Sequence, residues 1–407
     1  MRYCALDNIC YALLDAKAPA GCVMLDAPFA PLVALITRDP AESEASFAAA
    51  CAADLADRGV RRLLASDLTL DDPSFAEHLE QHGILCVNTA FPDALRRARP
   101  FIPGQTGLRL HLAGLGDVGA TLLSGLMLLG DAFDKIGIFD PDERRCRRCE
   151  MEAGQILSPT GHRPRVDVLS ADTLFDCDLF VFAASAGVPP LGSAGDVRLQ
   201  QLEANRAILA PYARQARDSQ YGGLFFLVSD PVDLLCRDLF TLSNTVPSGM
   251  ADYRGLRPEQ VLGLGLGVML ARADYAAKQR GIADFLAQGR AYGPHGNGLV
   301  VANATGEAYD DALSRELSEA AQTAHLTIRD TGYKPYIAPA LSSACTQIVR
   351  AVTGESFDAA IPLDGVYMGC RARLTGNGLL TERAPLPPAL LARVQKSYDW
   401  LKEYGRL

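Results

Sequence analysis

Short continuous apolar runs alternate with stretches of helical spacing along most of this chain. In the first hundred residues, positions 22–25, 32–37, 62–65 and 84–88 are predicted strands. Positions 41–58 and 73–82 are predicted helices, the second stopped by Gly83. That alternation implies a small α/β unit with some parallel pairing. The stretch Pro-Phe-Ile-Pro-Gly-Gln-Thr-Gly at 100–107 breaks the pattern. Beyond it the alternation resumes at larger scale. Strands are expected at 108–113, 135–140, 179–184, 224–229 and 261–264, with helices at 118–129 and 199–218. Past Gly267 strands become irregular and long amphipathic helices dominate, at 308–325 and 339–352. No internal repeat or low-complexity tract interrupts the chain.

Composition narrows the class without naming a task. The chain has 407 residues, 49% hydrophobic and 21% charged, which suits a multi-domain globular protein and excludes disordered, collagen-like and disulfide-stapled classes. A formal net charge of -9 argues against a broad nucleic-acid footprint. The longest apolar run, 120–130, is about half of the ~20 residues that a membrane span needs. The start, MRYCALDN, shows no basic stretch followed by an apolar core, so no signal peptide is expected. Eleven cysteines without framework spacing suit free thiols in a reducing compartment, and the expected location is cytoplasmic. Cys146 and Cys149 have CxxC spacing but lack a second pair with zinc-site spacing. They read as two thiols on one helix face, and no metal site is expected.

Candidate chemistry begins at Gly114-Leu115-Gly116-Asp117-Val118-Gly119, between a predicted strand and a predicted helix. The first glycine permits the tight turn, the second lets backbone approach a pyrophosphate, and the third allows close helix–sheet packing. The helix N-terminus adds unpaired N–H groups and a positive dipole end. Asp140, at the end of the next strand, is placed to bind ribose hydroxyls. Its charge favours NAD over NADP. Arg144, Arg145, Arg147 and Arg148 follow closely, either as a solvated helix face or as acceptors of a 2′-phosphate, so NADP stays open.

With these residues in place, the chain from about 107 to 407 resembles the L-lactate/L-malate dehydrogenase family. The pieces that carry the resemblance are LAGLGDVGA, IGIFD, LFVFAASAGVPP leading to GDVRLQQLEANRAI, FFLVSDPVDLL, AYGPHGNGLV and IPLDGVYMGCRARLTGNGLL, in that order. The resemblance implies a Rossmann dinucleotide-binding domain at 106–267 and a mixed α/β substrate domain at 268–407; outside it, the alternation in residues 1–105 leaves a small α/β N-terminal domain of unknown role. It also implies hydride transfer between nicotinamide and a small 2-hydroxy/2-oxo acid, in a homodimer or homotetramer.

Such a reaction needs a proton donor to the carbonyl oxygen, a cation polarising that oxygen and an anchor for the carboxylate. His295, in Gly-Pro-His-Gly-Asn-Gly, matches the family's acid/base histidine. Arg198, after Gly195-Asp196-Val197, matches the polarising arginine, with a solvated first-turn arginine as the alternative. Arg272 matches the bidentate carboxylate anchor; its alternative is a structural ion pair with a neighbour such as Asp274.

The chain departs from the pattern in three places. Where the family has an aspartate orienting the histidine, this chain has Met269, a thioether that cannot offset imidazolium charge. The family's Ser-Asn-Pro is Ser229-Asp230-Pro231, so Asp230 is a candidate substitute partner, or else a helix cap. The substrate-reading loop, 187–198, holds no arginine before Arg198, which argues against ordinary malate. Lys334 stands where the family offers a small polar residue; it is either a pocket residue receiving an extra anionic or carbonyl group or an exposed loop lysine. The alternative to an active dehydrogenase is a catalytically weakened nucleotide-binding protein with an assembly or regulatory role.

Overall fold

The computed structural model describes residues 1–186 and 197–404, without the side chains of 197–200. The loop 187–196 and the side chain of Arg198 thus lie outside the described residues.

The larger sheet runs Gly378–Thr381, Val366–Thr375, Ser356–Leu363, Val261–Gly263, Leu224–Leu227, Leu179–Phe182, Leu108–Ala113, Phe133–Phe139, Arg165–Val168. From Val261–Gly263 onward in that order all neighbours are parallel. Numbered along the chain, these six strands lie in the order 3-2-1-4-5-6 of the doubly wound dinucleotide-binding fold. Parallel strands need crossover helices, here Asp117–Leu129, Glu143–Ala153, Val197–Asp218 and Val232–Asn244. The strands are therefore apolar on both faces. Leu179 and Val181 enter one core while Phe180 and Phe182 enter the other, all fully buried. The sheet continues past residue 267, because Ser356–Leu363 joins Val261–Gly263 antiparallel at Ala360 and Gly263.

The first hundred residues form a second sheet, in the order Val23–Leu25, Arg2–Leu6, Ile9–Leu13, Leu32–Ile36, Ile84–Asn88, Ser46–Ala49. Ile9–Leu13, Leu32–Ile36 and Ile84–Asn88 pair in parallel, as the alternation implied. A two-residue hairpin turn at Asp7 and Asn8, both at positive φ, brings in the first two strands, which the sequence reading overlooked.

Two expectations fail in this unit. Residues 41–58 are not one helix: a 3-10 turn at Pro40–Glu42 leads to a strand at Ser46–Ala49 and a short helix at Ala52–Ala56. Alanine content favours a helix there, but tertiary pairing wins. Ser46–Ala49 pairs with Ile84–Asn88, and buried Glu44 meets Arg62 at 2.5 Å. Residues 62–65 are likewise no strand. Gly59–Leu63 is a 3-10 helix, fixed by Arg58 at 3.1 Å from Asp364 and by the Gly59 N–H on the same carboxylate. Arg383 binds Asp54 at 2.5 Å and Asp57 at 2.9 Å, and Glu259 accepts from the Ser46 hydroxyl at 2.8 Å. The two sheets are thus joined by paired charges, although Arg383 Nη2 is a buried atom without a hydrogen-bond partner.

Candidate active site

The glycine loop lies at the C-terminal end of Leu108–Ala113, where the winding reverses toward Leu179–Phe182. Ligands of open α/β sheets bind in this crevice. Gly114 has φ +95°, and a Cβ there would strike the backbone of Ala183 and Ala184. A Cβ on Gly119 would strike the carbonyl of Gly114, whereas one on Gly116 would meet nothing within 4 Å. Two glycines therefore permit close packing, and the third keeps an open face over the N-terminus of helix Asp117–Leu129. Val118 lies in the first turn of that helix. Asp140 is buried: it accepts the Leu115 N–H at 2.9 Å and the Asp142 N–H at 3.0 Å. Arg145 lies 3.2 Å from the same carboxylate, so the charge expected to exclude a 2′-phosphate is paired.

The second cluster forms where Leu224–Leu227 ends and helix Val232–Asn244 begins. His295 Nδ1 lies 3.0 Å from Asp230 Oδ1, bringing together residues 65 apart in sequence. The imidazole is 17% exposed and Asp230 46% exposed. Asp230 lies one residue outside the helix N-cap, Pro231. The ring packs against Gly265, where a Cβ would come within 2.8 Å of His295 Cβ. With Nδ1–H given to Asp230, Nε2 is the nitrogen left to exchange a proton.

Arg272, on helix Leu266–Lys278, is held by packing, with its Nη1 3.4 Å from the Met269 sulfur. Burial lowers its pKa and nearby Asp230 raises it. Its suggested ion-pair partner, Asp274, is bound instead by Lys278 at 2.7 Å. Met269 is buried among apolar residues, so the position the family gives to aspartate is part of a core. Lys334 is exposed and lies 3.5 Å from Asp117, at the glycine loop, where it is paired across 217 positions.

Several participants were not read from the sequence. Asp233 is buried and accepts the backbone N–H of His295 on Oδ2 at 3.2 Å; its Oδ1 has no hydrogen-bond partner. Burial pushes its pKa up to about 6, against the lowering influence of His295. Asn205 accepts from the Ala186 N–H at 2.8 Å and donates to the Asp230 carbonyl at 2.6 Å, tying two strand ends together. Ser229 donates to the Ala184 carbonyl at 2.6 Å. Asn205 stands in GDVRLQQLEANRAI and Asp233 in FFLVSDPVDLL, stretches that gave neither residue a role of its own. Among the described residues, no group of three or more His, Cys, Asp or Glu side chains could hold a metal ion.

A doubly wound sheet continued by a mixed α/β region, with a His–Asp pair at its C-terminal edge, belongs to the class of open α/β folds that bind ligands outside the carboxyl ends of their strands. Three solved structures share that fold. The lactate dehydrogenase MGS-M5, from a Medee basin deep-sea metagenome library, is 18% identical with TM-score 0.59, covering 74% of this chain and 98% of that one. The minor L-lactate dehydrogenase of Enterococcus mundtii is 16% identical with TM-score 0.60, covering 74% and 98%. Malate dehydrogenase from Archaeoglobus fulgidus, solved with NADH, is 18% identical with TM-score 0.59, covering 74% and 99%. In sequence, L-lactate dehydrogenase 2 of Staphylococcus aureus (strain JH9) is 28% identical over 282 residues, 65% of this chain and 82% of that protein. The same protein from strain Newman matches equally. No protein-family model matches the chain. Similarity in sequence and in fold thus supports the L-lactate/malate dehydrogenase family.

Proposed function

We propose that this protein is an oxidoreductase interconverting a small 2-hydroxy acid and its 2-oxo acid with a nicotinamide dinucleotide, NAD before NADP. The observation that carries this reading is the 3.0 Å contact of His295 Nδ1 with Asp230, beside Arg272 and at the edge that also holds the glycine loop. The dehydrogenase relatives in sequence and fold support it.

The residues present suit a dinucleotide. The open face of Gly116 and the N–H groups that begin helix Asp117–Leu129 would hold the pyrophosphate, and Asp140 would meet the ribose. When bound, the nicotinamide would supply the hydride acceptor or donor. The chain supplies the rest. Arg272 pairs with the substrate carboxylate through its planar fork. His295 Nε2 delivers a proton to the carbonyl oxygen in reduction and removes it in oxidation, while Asp230 holds the ring and offsets the imidazolium. Asp233 fixes the backbone of the His295 loop through its 3.2 Å contact. Arg198 is assigned to polarise the carbonyl. Lys334 would reach substrate only by leaving Asp117.

Met269 favours a second reading, a catalytically weakened dehydrogenase-like nucleotide-binding protein in which the first hundred residues serve assembly or regulation. A homodimer or homotetramer in the cytoplasm completes the proposal. Eleven free cysteines suit a reducing compartment, and no helix among the described residues is long and apolar enough to cross a membrane. The test is NADH oxidation with a pool of 2-oxo acids, wild type against His295→Gln. Turnover lost in the variant supports the enzyme, whereas NADH binding without turnover in folded wild type supports the second reading.

A further inference from the structure

The first hundred residues meet the rest of the chain around a cavity of about 220 Å³. The 3-10 turn Pro40–Glu42 contributes Ala41 to its wall, helix Val232–Asn244 contributes Arg237, Phe240 and Thr241, and strand Val366–Thr375 contributes Val366. Tyr253 completes the circle. Its ring lies 28° from the plane of Phe240 with centroids 6.4 Å apart, which gives this side a flat aromatic surface. Ala41 and Thr241 are exposed, so the cavity opens to solvent beside them.

The charges in the wall are unequal. Among the described lining residues Arg237 is the cation and Asp364 the acid. The Asp364 carboxylate is met by Arg58 at 3.1 Å and by the Gly59 N–H. Asp238, next to Arg237 along the helix, is paired with Arg206 at 3.6 Å. The cavity therefore joins an apolar, partly aromatic lining to one cationic fork.

Two of its walls also carry the His295 loop. Helix Val232–Asn244 holds that loop through Asp233, one turn before Arg237, which accepts the His295 N–H at 3.2 Å. Strand Val366–Thr375 holds it through the Gly369 carbonyl, which accepts the Gly293 N–H at 2.9 Å. A molecule touching Arg237 and Val366 thus lies against both supports of His295 and against the turn Pro40–Glu42.

We propose that this cavity is an effector site for a small aromatic monocarboxylate, its ring on Phe240 and Tyr253 and its carboxylate on Arg237, and that filling it steadies the His295 loop. The volume is below the ~300–1,000 Å³ of drug-sized pockets, which suits one ring and one acid and excludes a dinucleotide or a peptide. One guanidinium answers one carboxylate through paired N–H donors. The ligand binds the closed arrangement of these walls better than an opened one, and so opposes local opening of the loop they hold. The turn Pro40–Glu42 closes one side, so residues 1–105 complete the site. The site stands apart from the dehydrogenase reading, and neither readout below requires turnover.

The probe is phenylacetate, titrated by calorimetry into the full chain carrying Arg272→Gln, so that the proposed substrate anchor does not compete. The expected dissociation constant is about 1 mM or tighter. Acetate, which lacks the ring, and phenylacetamide, which lacks the charge, should each bind at least tenfold more weakly. Adding Arg237→Gln should weaken phenylacetate at least tenfold, and Thr241→Trp, which fills the mouth from an exposed position, should do the same in a chain of unchanged Tm. Absence of binding, equal binding of phenylacetamide, or binding that both variants leave intact overturns the proposal. In the wild-type chain, saturating phenylacetate should slow amide hydrogen exchange across 293–298 at least fivefold, and should not do so in Thr241→Trp. Exchange that phenylacetate leaves unchanged overturns the effector role.

Discussion

Replacing Asp230 by asparagine removes a charge while keeping the size of the side chain, and so isolates the electrostatic part of the His295 contact. The imidazolium and carboxylate charges lie about 4 Å apart, where Coulomb attraction is about 1 kcal/mol in bulk water and about 4 kcal/mol at an effective dielectric of 20. Asp230 is 46% exposed, so water screens the pair and the lower part of that range applies. A loss of about 1–2 kcal/mol corresponds to about 5–30-fold in kcat/KM for reduction of a 2-oxo acid. The amide can also turn its NH2 toward Nδ1 and reverse the tautomer, which adds to the loss. Stopped-flow NADH oxidation on wild type, Asp230→Asn, His295→Gln and the double variant forms a thermodynamic cycle. If the two residues act as one unit, the double variant is no worse than His295→Gln alone. Activity of Asp230→Asn within twofold of wild type would refute the reasoning and leave Asp230 as a helix-entry residue.

Three further outcomes follow from the geometry. Asp233, with its pKa near 6 against about 3.9 unfolded, is protonated more readily in the folded state, so its ionisation costs stability as pH rises from about 4 to 6. Asp233→Asn keeps an acceptor for the His295 N–H and should gain up to about 3 kcal/mol relative to wild type. That gain should be absent below pH 4 and constant above pH 7 in denaturant titrations; a pH-independent difference would contradict it. Gly265→Ala places a methyl 2.8 Å from His295 Cβ and should lower turnover at least tenfold by displacing the ring, with circular dichroism unchanged. Gly116→Ala adds a methyl into open space, so Tm should hold while NADH affinity measured by fluorescence falls about tenfold or more. Unaltered affinity would mean that the dinucleotide is held elsewhere.

Local signals served well where short-range physics is decisive. Pro73–His82 ends at Gly83, and Leu108–Ala113 leads into the glycine loop, both as read from the sequence. Signals failed where a segment's own preference competes with distant partners. The alanine-rich residues after Pro40 became a strand because Ile84–Asn88 offers a ladder and because Glu44 has Arg62 to neutralise it once buried. The first strand pair was missed because its turn, Asp7-Asn8, carries no glycine to announce it.

The candidate site divides the same way. The glycine loop is a local device: its glycines, helix start and acidic strand end lie within one strand–helix–strand unit, so the amino-acid order alone was enough to read its shape. His295, Arg272 and the oddity of Met269 were also visible as residues in motifs. Which carboxylate reaches His295 was open until the chain folded, because Asp230 is 65 positions away and its nearness depends on two strand ends meeting at one edge of the sheet. Asp233 stood in a quoted stretch without a role, and it owes its raised pKa to burial under the histidine loop. Burial and electrostatic neighbourhood are properties of packing, and packing brings together residues that no short window of sequence contains.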